Sequence, residues 1–335
     1  MEVVIEDYGV YLGKKSERLV IRRRDRPEEQ IPLLQVEELT ICSRGVTLST
    51  DLMEECLERG ITIHLLRPGG RPYGLISSPA LTGTVLTRRE QLLAYYDERA
   101  VEYVRALVLA KLKNQQNTLR YFGKYRKGRR PEEYERLMTV VREIDPLISQ
   151  ASEIDGDDIE QLRLRFMNLE GRGGEAYWRG VQILLAGRIE FEGRERRGAT
   201  DPVNSCLNYG YAILYSKVWA ALLRAGLEPF AGYLHVDRPG KPSLVLDAIE
   251  EFRQPVVDRA LLALLGRGWT PQMEGDLISD ACRKEVSRRV AERLEAAEPF
   301  EGRKLRLRSI IQRQARHLAT FLRGEHHYRP FVCTW

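Results

Sequence analysis

The 335-residue chain has no run of eighteen apolar residues, so no segment of it reads as a membrane span. Its opening, MEVVIEDYGV, carries acids and lacks the basic start and apolar stretch of a signal peptide, which makes the cytoplasm the expected compartment. Cysteine is scarce, with five residues at 42, 56, 206, 282 and 333, an odd number without a C-x-x-C pair. That argues against a disulfide framework and a structural zinc site, and the five read as small buried side chains. Histidine is equally scarce, at 64, 235, 317, 326 and 327. No G-x-x-x-x-G-K-[ST] phosphate loop is present, so nucleotide hydrolysis is not expected. Lysine is short too: of 53 basic residues only 10 are lysine and 43 are arginine.

What is present is a soluble, globular composition, 43% hydrophobic and 30% charged, long enough for two domains with a core each. The net charge of +5 is unevenly spread. Residues 1–85 hold 11 basic and 13 acidic side chains, whereas residues 86–335 hold 42 and 35. Arginine suits bidentate phosphate contacts, which favours an anionic polymer as partner of the second region. Composition alone leaves an ion-paired surface, as in heat-adapted proteins, equally open.

The first region reads as β-rich. Short apolar runs (VVI, GVYLG, RLVIRR, LLQVEELTIC, GVTLS, ITIHLL, YGLIS) are separated by turn signals at Gly9, Gly13, Pro27 and Gly45. PGGRPYG at 68–74 has the composition of a hairpin, and a single helix is expected between the Ser49-Thr50-Asp51 cap and Gly60. From Thr87 onward apolar residues recur every three or four positions. Long helices are expected there, then helices over 131–144, 157–187, 201–225, 242–265, 274–297 and 303–323, with breaks at Pro146, 193–198, Pro239-Gly240 and Gly302. The expected class is α+β: a small β-rich N-terminal domain, 1–86, followed by a larger all-α domain, 87–335.

Few residues can carry chemistry. His64 lies in an apolar strand pattern and reads as core, whereas His235 ends the run PFAGYLH before the turn VDRPGKP. The helix after that turn, PSLVLDAIEEFR, sets Asp247 and Glu250 three apart among Leu244, Leu246, Ile249 and Phe252. Acids on so apolar a helix need a partner or a metal, unless they form a solvated stripe. Glu170 precedes Gly171, Gly173 and Gly174, and glycines in a helical pattern mark close approach by something else or a helix break.

Together E170-G-x-x-G-E-x-Y-W, D201-P-V-N-S-C-L-N-Y-G-Y, H235-x11-D247-A-I-E250-E-F-R and the tail IIQRQARHLATFLRGEHHYRPF resemble the CRISPR-associated spacer-acquisition integrases, the Cas family numbered one. The resemblance is dense over 160–330. It implies a metal-dependent DNA endonuclease and integrase that inserts short DNA at a repeat by 3′-hydroxyl attack on a phosphodiester. Carried over by motif, the metal ligands fall on Glu170, His235 and Glu250, where some members have aspartate at the last position, with Asp247 as a supporting acid. Carboxylates with one imidazole suit Mg2+ or Mn2+ better than zinc. Tyr215 matches a tyrosine near DNA. The implied partners are double-stranded and branched DNA, a second copy of the chain docked through the β-rich domain, and a small CRISPR-associated protein. Basic residues expected at DNA are Lys241, Arg303, Arg306, Arg313 and Arg316, with the loop 124–130. Two other readings stay open on sequence: a transposase-like integrase of another mobile element, and a non-catalytic DNA-binding scaffold.

Overall fold

The computed structural model describes residues 2–67, 72–78, 85–195 and 201–334. Its contacts divide the chain into two compact units, Met1–Leu81 and Thr82–Trp335, giving an α+β protein. No helix among the described residues is long and apolar enough to cross a membrane.

In the first unit the elements run β1 (Glu2–Ile5), β2 (Tyr11–Lys15), β3 (Arg18–Arg23), β4 (Arg26–Pro32), β5 (Glu38–Ile41), β6 (Thr47–Leu48), α1 (Thr50–Glu58), β7 (Thr62–Leu66) and β8 (Pro72–Ile76). One sheet has the order β1-β5-β7-β8, parallel except for β8, and the other has the order β4-β3-β2-β6. The inward residues Ile5, Leu39 and Ile63 of the first sheet and Leu12, Leu19 and Ile21 of the second share one core with Leu52 of α1. Ser49 caps α1 by accepting the Leu52 amide at 3.3 Å. His64 is buried in β7, as its apolar setting implied. The turn PGGR at 68–71 lies outside the described residues, although β7 and β8 pair antiparallel on either side of it. Two expectations fail here. Gly13 lies inside β2 rather than in a turn, and Pro27 lies inside β4, a strand with no apolar alternation. β4 is an edge strand, where a proline costs no ladder bond on its open side and charged side chains stay in water.

The second unit is helical: α2 (Val85–Leu93), α3 (Glu98–Gly123), α4 (Pro131–Ser152), α5 (Ile159–Leu185), α6 (Pro202–Arg224), α7 (Ser243–Ala248) and α8 (Arg259–Gly266). A short hairpin, β9 (Met273–Glu274) with β10 (Leu277–Ile278), leads to α9 (Asp280–Glu295). A second, β11 (Ala297–Phe300) with β12 (Arg303–Arg306), leads to α10 (Leu307–Leu322). A single apolar core joins these helices, with Tyr103, Phe166, Tyr177 and Leu214 near its centre.

Four helical expectations are corrected. Pro146 does not end α4, because Ile144, Leu147 and Ala151 on either side of it are buried and packing outweighs the lost hydrogen bond. The helix expected over 303–323 starts only at Leu307, and that over 274–297 only at Asp280. Glu301 and Gly302, at φ 49° and 73°, form the tight turn of β11–β12, a left-handed pair suited to a two-residue hairpin. The helix expected over 242–265 is interrupted by a 3-10 turn at Ile249–Glu251 and a π-helical turn at Arg253–Asp258. Pro255 explains the interruption: it has no N–H to offer the Glu251 carbonyl, which accepts the Asn114 side-chain amide instead, at 2.9 Å.

Candidate active site

The glycines after Glu170 sit inside α5; Gly171 and Gly174 face open space, whereas Gly173, and Gly180 two turns on, admit α3. A Cβ at Gly173 would collide with Leu112, and one at Gly180 would come 2.7 Å from Leu119. This close crossing sets Lys111, one residue before Leu112, against Glu170, and its Nζ pairs with Glu170 Oε1. The same ammonium lies 2.5 Å from Glu250 Oε2 on the 3-10 turn after α7. Beyond this ion contact with Lys111, the buried oxygen has no hydrogen bond of ordinary geometry. Arg253 donates from Nε to the other oxygen, Glu250 Oε1, at 2.9 Å. Burial pushes the Glu250 carboxyl up, but Arg253, Lys111 and His235 together outweigh it and hold the group at about 2.

His235 is held by a different device. Asp247, fully buried at the end of α7, accepts three backbone amides: Tyr233 at 2.6 Å, Leu234 at 3.0 Å and His235 at 2.9 Å. Its Oδ1 also lies 2.7 Å from His235 Nδ1. A carboxylate only accepts, so Nδ1 presents its N–H to Asp247, and Nε2 is the ring nitrogen outside this contact. Gly232 makes the wrap possible, because a Cβ there would come 2.8 Å from Asp247 Oδ2 and 2.6 Å from the Ser243 carbonyl carbon. Ser243 Oγ accepts the Gly232 amide at 2.9 Å, tying the start of α7 to the same segment.

Among the described residues no three of His, Cys, Asp and Glu are grouped in the arrangement of a bound metal. Glu170 and Glu250 converge on the Lys111 ammonium, and His235 is close enough for its charge to act on Glu250. The donor set still fits a hard divalent cation. It offers two carboxylates, an imidazole fixed through Nδ1 and a buried carboxylate oxygen without a hydrogen bond, and it already holds a cation between the acids.

Residues 3–292 match the family model described as CRISPR associated protein Cas1. A CRISPR-associated endonuclease Cas1 of Archaeoglobus fulgidus is 33% identical over 347 residues, covering 100% of both chains. Another, from Francisella tularensis subsp. novicida, is 34% identical over 99% of each. The chain belongs to the Cas1 family. It is therefore a CRISPR-associated endonuclease. The fold agrees: a CAS1 protein from Thermotoga maritima superposes with a TM-score of 0.78 at 22% identity, covering 98% of this chain and 99% of that one. A casposase bound to integration product gives 0.82 at 18% identity, covering 97% and 91%.

The remaining residues expected in a Cas1 site are dispersed. Tyr215, half-buried on α6, packs edge-to-face on Trp219 with 5.5 Å between ring centroids, and burial pushes its phenol up. Lys241 closes a tight turn, its amide donating to the Arg238 carbonyl at 2.9 Å, with Gly240 at φ 72°. Arg303 and Arg306 lie on β12, not on the helix where spacing put them. Arg306 pairs with Glu295 and Arg313 with Glu301, each at 3.1 Å, whereas Arg303 and Arg316 are exposed. In the basic loop, Lys124 lies over the rings of Tyr121 and Tyr125, while Arg126 and Arg130 pair with Glu133.

Sequence reasoning missed Lys111, Arg253 and Asn114. The signal for Lys111 was available: it stands four residues from Leu107 and one from Leu112 on a face whose other members are buried. A lysine on such a face needs a carboxylate partner.

Proposed function

We propose that Glu170, His235 and Glu250 together hold one divalent cation, Mg2+ or Mn2+, at which this Cas1 protein joins short DNA to a CRISPR repeat. The observation that supports this most is the convergence of Glu170 and Glu250, from separate helices, on one cation position beside a histidine held through Nδ1. When bound, the cation supplies Lewis acidity, polarising a phosphoryl oxygen and stabilising charge on the entering and leaving oxygens. Asp247 takes up Nδ1–H and so leaves Nε2 as the His235 nitrogen to meet the cation, and it has no lone pair left for a second ion once three amides and Nδ1–H are counted. Arg253 holds Glu250 ionised and limits its rotation. In the joining step a 3′-oxygen of the incoming DNA bonds to phosphorus, the repeat's P–O3′ bond breaks, and the departing 3′-oxygen takes a proton. With water as nucleophile the same site hydrolyses branched DNA.

The incoming DNA is held by exposed arginines, of which Arg303 and Arg316 are the foremost candidates, with Lys241 and Tyr215 nearer the reacting end. The β-rich domain, 1–86, carries the contact of a homodimer, and the helical domain, 87–335, carries catalysis and DNA. Dimers are joined by a small CRISPR-associated partner, as the name of a Cas6-RT-Cas1--Cas2 complex with the same fold suggests. That of a TtCas1-DNA complex supports the DNA assignment. The working compartment is the cytoplasm, where CRISPR DNA resides.

Short duplexes ending in a 3′-hydroxyl, 3′-phosphate or dideoxy sugar, offered with labelled repeat DNA and Mn2+, test the assignment of the nucleophile. Joined products arise only from hydroxyl ends, while hydrolysis of branched DNA continues with all three. Joining from blocked ends, or a covalent protein–DNA adduct, overturns it.

A further inference from the structure

We propose that Lys111 is the resident cation of the metal-free site: its ammonium holds Glu170 and Glu250 together, and a divalent metal enters by displacing it. The inference rests on the metal-site reading above and adds a competitor to it. Lys111 is almost wholly buried, with 7% of its side chain exposed, and its Nζ contacts Glu170 Oε1 and Glu250 Oε2, the oxygens that face the proposed metal position. Two carboxylates facing each other in a dry site repel, and without a cation one of them takes up a proton or turns away. Lys111 prevents both, so the ligands stay assembled and ionised before any metal arrives.

The geometry also supplies the exit. The tight α3–α5 crossing at Leu112 and Gly173 fixes the backbone of Lys111, but the ammonium ends a flexible four-carbon stem and swings without moving its helix. Arg253 does not compete, because it bonds Oε1 and leaves Oε2 to the incoming ion. Charge points the same way. Glu170 and Glu250 are balanced by Lys111 and Arg253. A divalent ion in place of Lys111 adds one positive charge to the site, whereas the ion beside Lys111 would set two cations at contact distance from each other.

The test is Mn2+ titration of the full-length protein, followed by electron paramagnetic resonance of free Mn2+, with thermal melting in parallel. Compared with wild type, Lys111→Met binds Mn2+ about tenfold tighter or more, since a buried charge competing with the metal is gone. Its metal-free melting temperature falls, and Mn2+ raises it by more than it raises that of wild type. Lys111→Gln, a polar second variant in case Lys111→Met does not fold, behaves in the same direction. Lys111→Arg keeps the charge and binds Mn2+ no tighter than wild type. Glu170→Gln reports on the metal site itself. Loss of Mn2+ binding in Glu170→Gln with wild-type affinity in Lys111→Met and Lys111→Gln overturns the displacement proposal alone. Wild-type affinity in all three removes the metal site and the proposal with it.

Discussion

Asp247 uses both its oxygens on three backbone amides and the His235 ring, whereas Glu170 and Glu250 are joined through a single lysine ammonium. The histidine side of the site is thus set by hydrogen bonds that exist whether or not a metal is present. The acid side depends on a cation, supplied from α3 by Lys111. The first arrangement is directional and stays in place under load from substrate. The second is non-directional and exchanges one cation for another. The metal site proposed above gains from having both, one part to fix the geometry and one part to yield.

The largest effect that sharpens this comparison is removal of a ligand. Glu170→Ala, His235→Ala and Glu250→Ala each lower integration by roughly three orders of magnitude, with DNA binding largely kept, and the triple variant is little worse than the singles. Single-turnover assays with filter binding measure it, and near-normal turnover in His235→Ala would contradict the site.

Next come two buried acids that titrate in opposite directions. Glu250 is held down at about 2, so its contribution to stability is complete above its ordinary 4.5 and is lost as pH falls toward 2. Asp258 accepts the phenols of Tyr177, at 2.8 Å, and Tyr211, and burial pushes it up to about 6 despite both. Its proton is retained longer in the folded state. The stabilisation this brings is full below the ordinary 3.8 and disappears as pH rises through about 6. Denaturant melts of the metal-free protein across pH 2–7 should show Glu250→Gln flatter in the acid arm and Asp258→Asn flatter between pH 4 and about 6. Each change is at most about 3 kcal/mol. Superimposable profiles for Asp258→Asn and wild type would break the assignment.

Asp247→Asn tests the histidine side directly. It keeps the shape but offers one fewer acceptor to the amides and Nδ1–H, and is expected to cost about 10- to 100-fold in metal affinity or rate. If excess Mn2+ restores full rate to Asp247→Asn, its role is only electrostatic and the contrast with the acid side collapses. The smallest effects are on the surface. Arg303→Ala and Arg316→Ala each reduce the salt dependence of DNA affinity by about one counterion, whereas Arg306→Ala and Arg313→Ala, already paired with Glu295 and Glu301, do less. Equal slopes for all four would show that the ion pairs open freely at DNA.

Much of this was legible before folding. The change from alternating strands to helical period separates the β-rich and helical regions, because that pattern is local and each element must bury one face. The acids and histidine of the site stood out because they lie among apolar neighbours, where charge requires a partner. Of the three glycines after Glu170, read as a close approach or a helix break, only Gly173 marks a close approach, filled by α3, and α5 runs unbroken through all three. The course of the chain around Glu250 was not. Spacing put Asp247 and Glu250 on one face of a regular helix, yet α7 ends at Ala248, one residue after Asp247, and Glu250 sits on a 3-10 turn that leads, through Phe252, to a π-helical turn. Pro255 is the cause, and the partner that replaces its missing amide, Asn114, is more than a hundred residues away.

What the sequence by itself determined is therefore the local grammar: which stretches are strands or helices, where the glycines let two backbones meet, and which residue types can bind a hard cation. Those follow from backbone sterics and from the energetic demand that buried charge be paired. Only the tertiary structure decided which charge pairs with which. Lys111 lies 59 positions from Glu170 and 139 from Glu250, and no periodicity links them. They meet because a helix crossing only a glycine can admit carries the lysine to the two acids, and ion pairing in a dry interior is a matter of distance in space rather than along the chain.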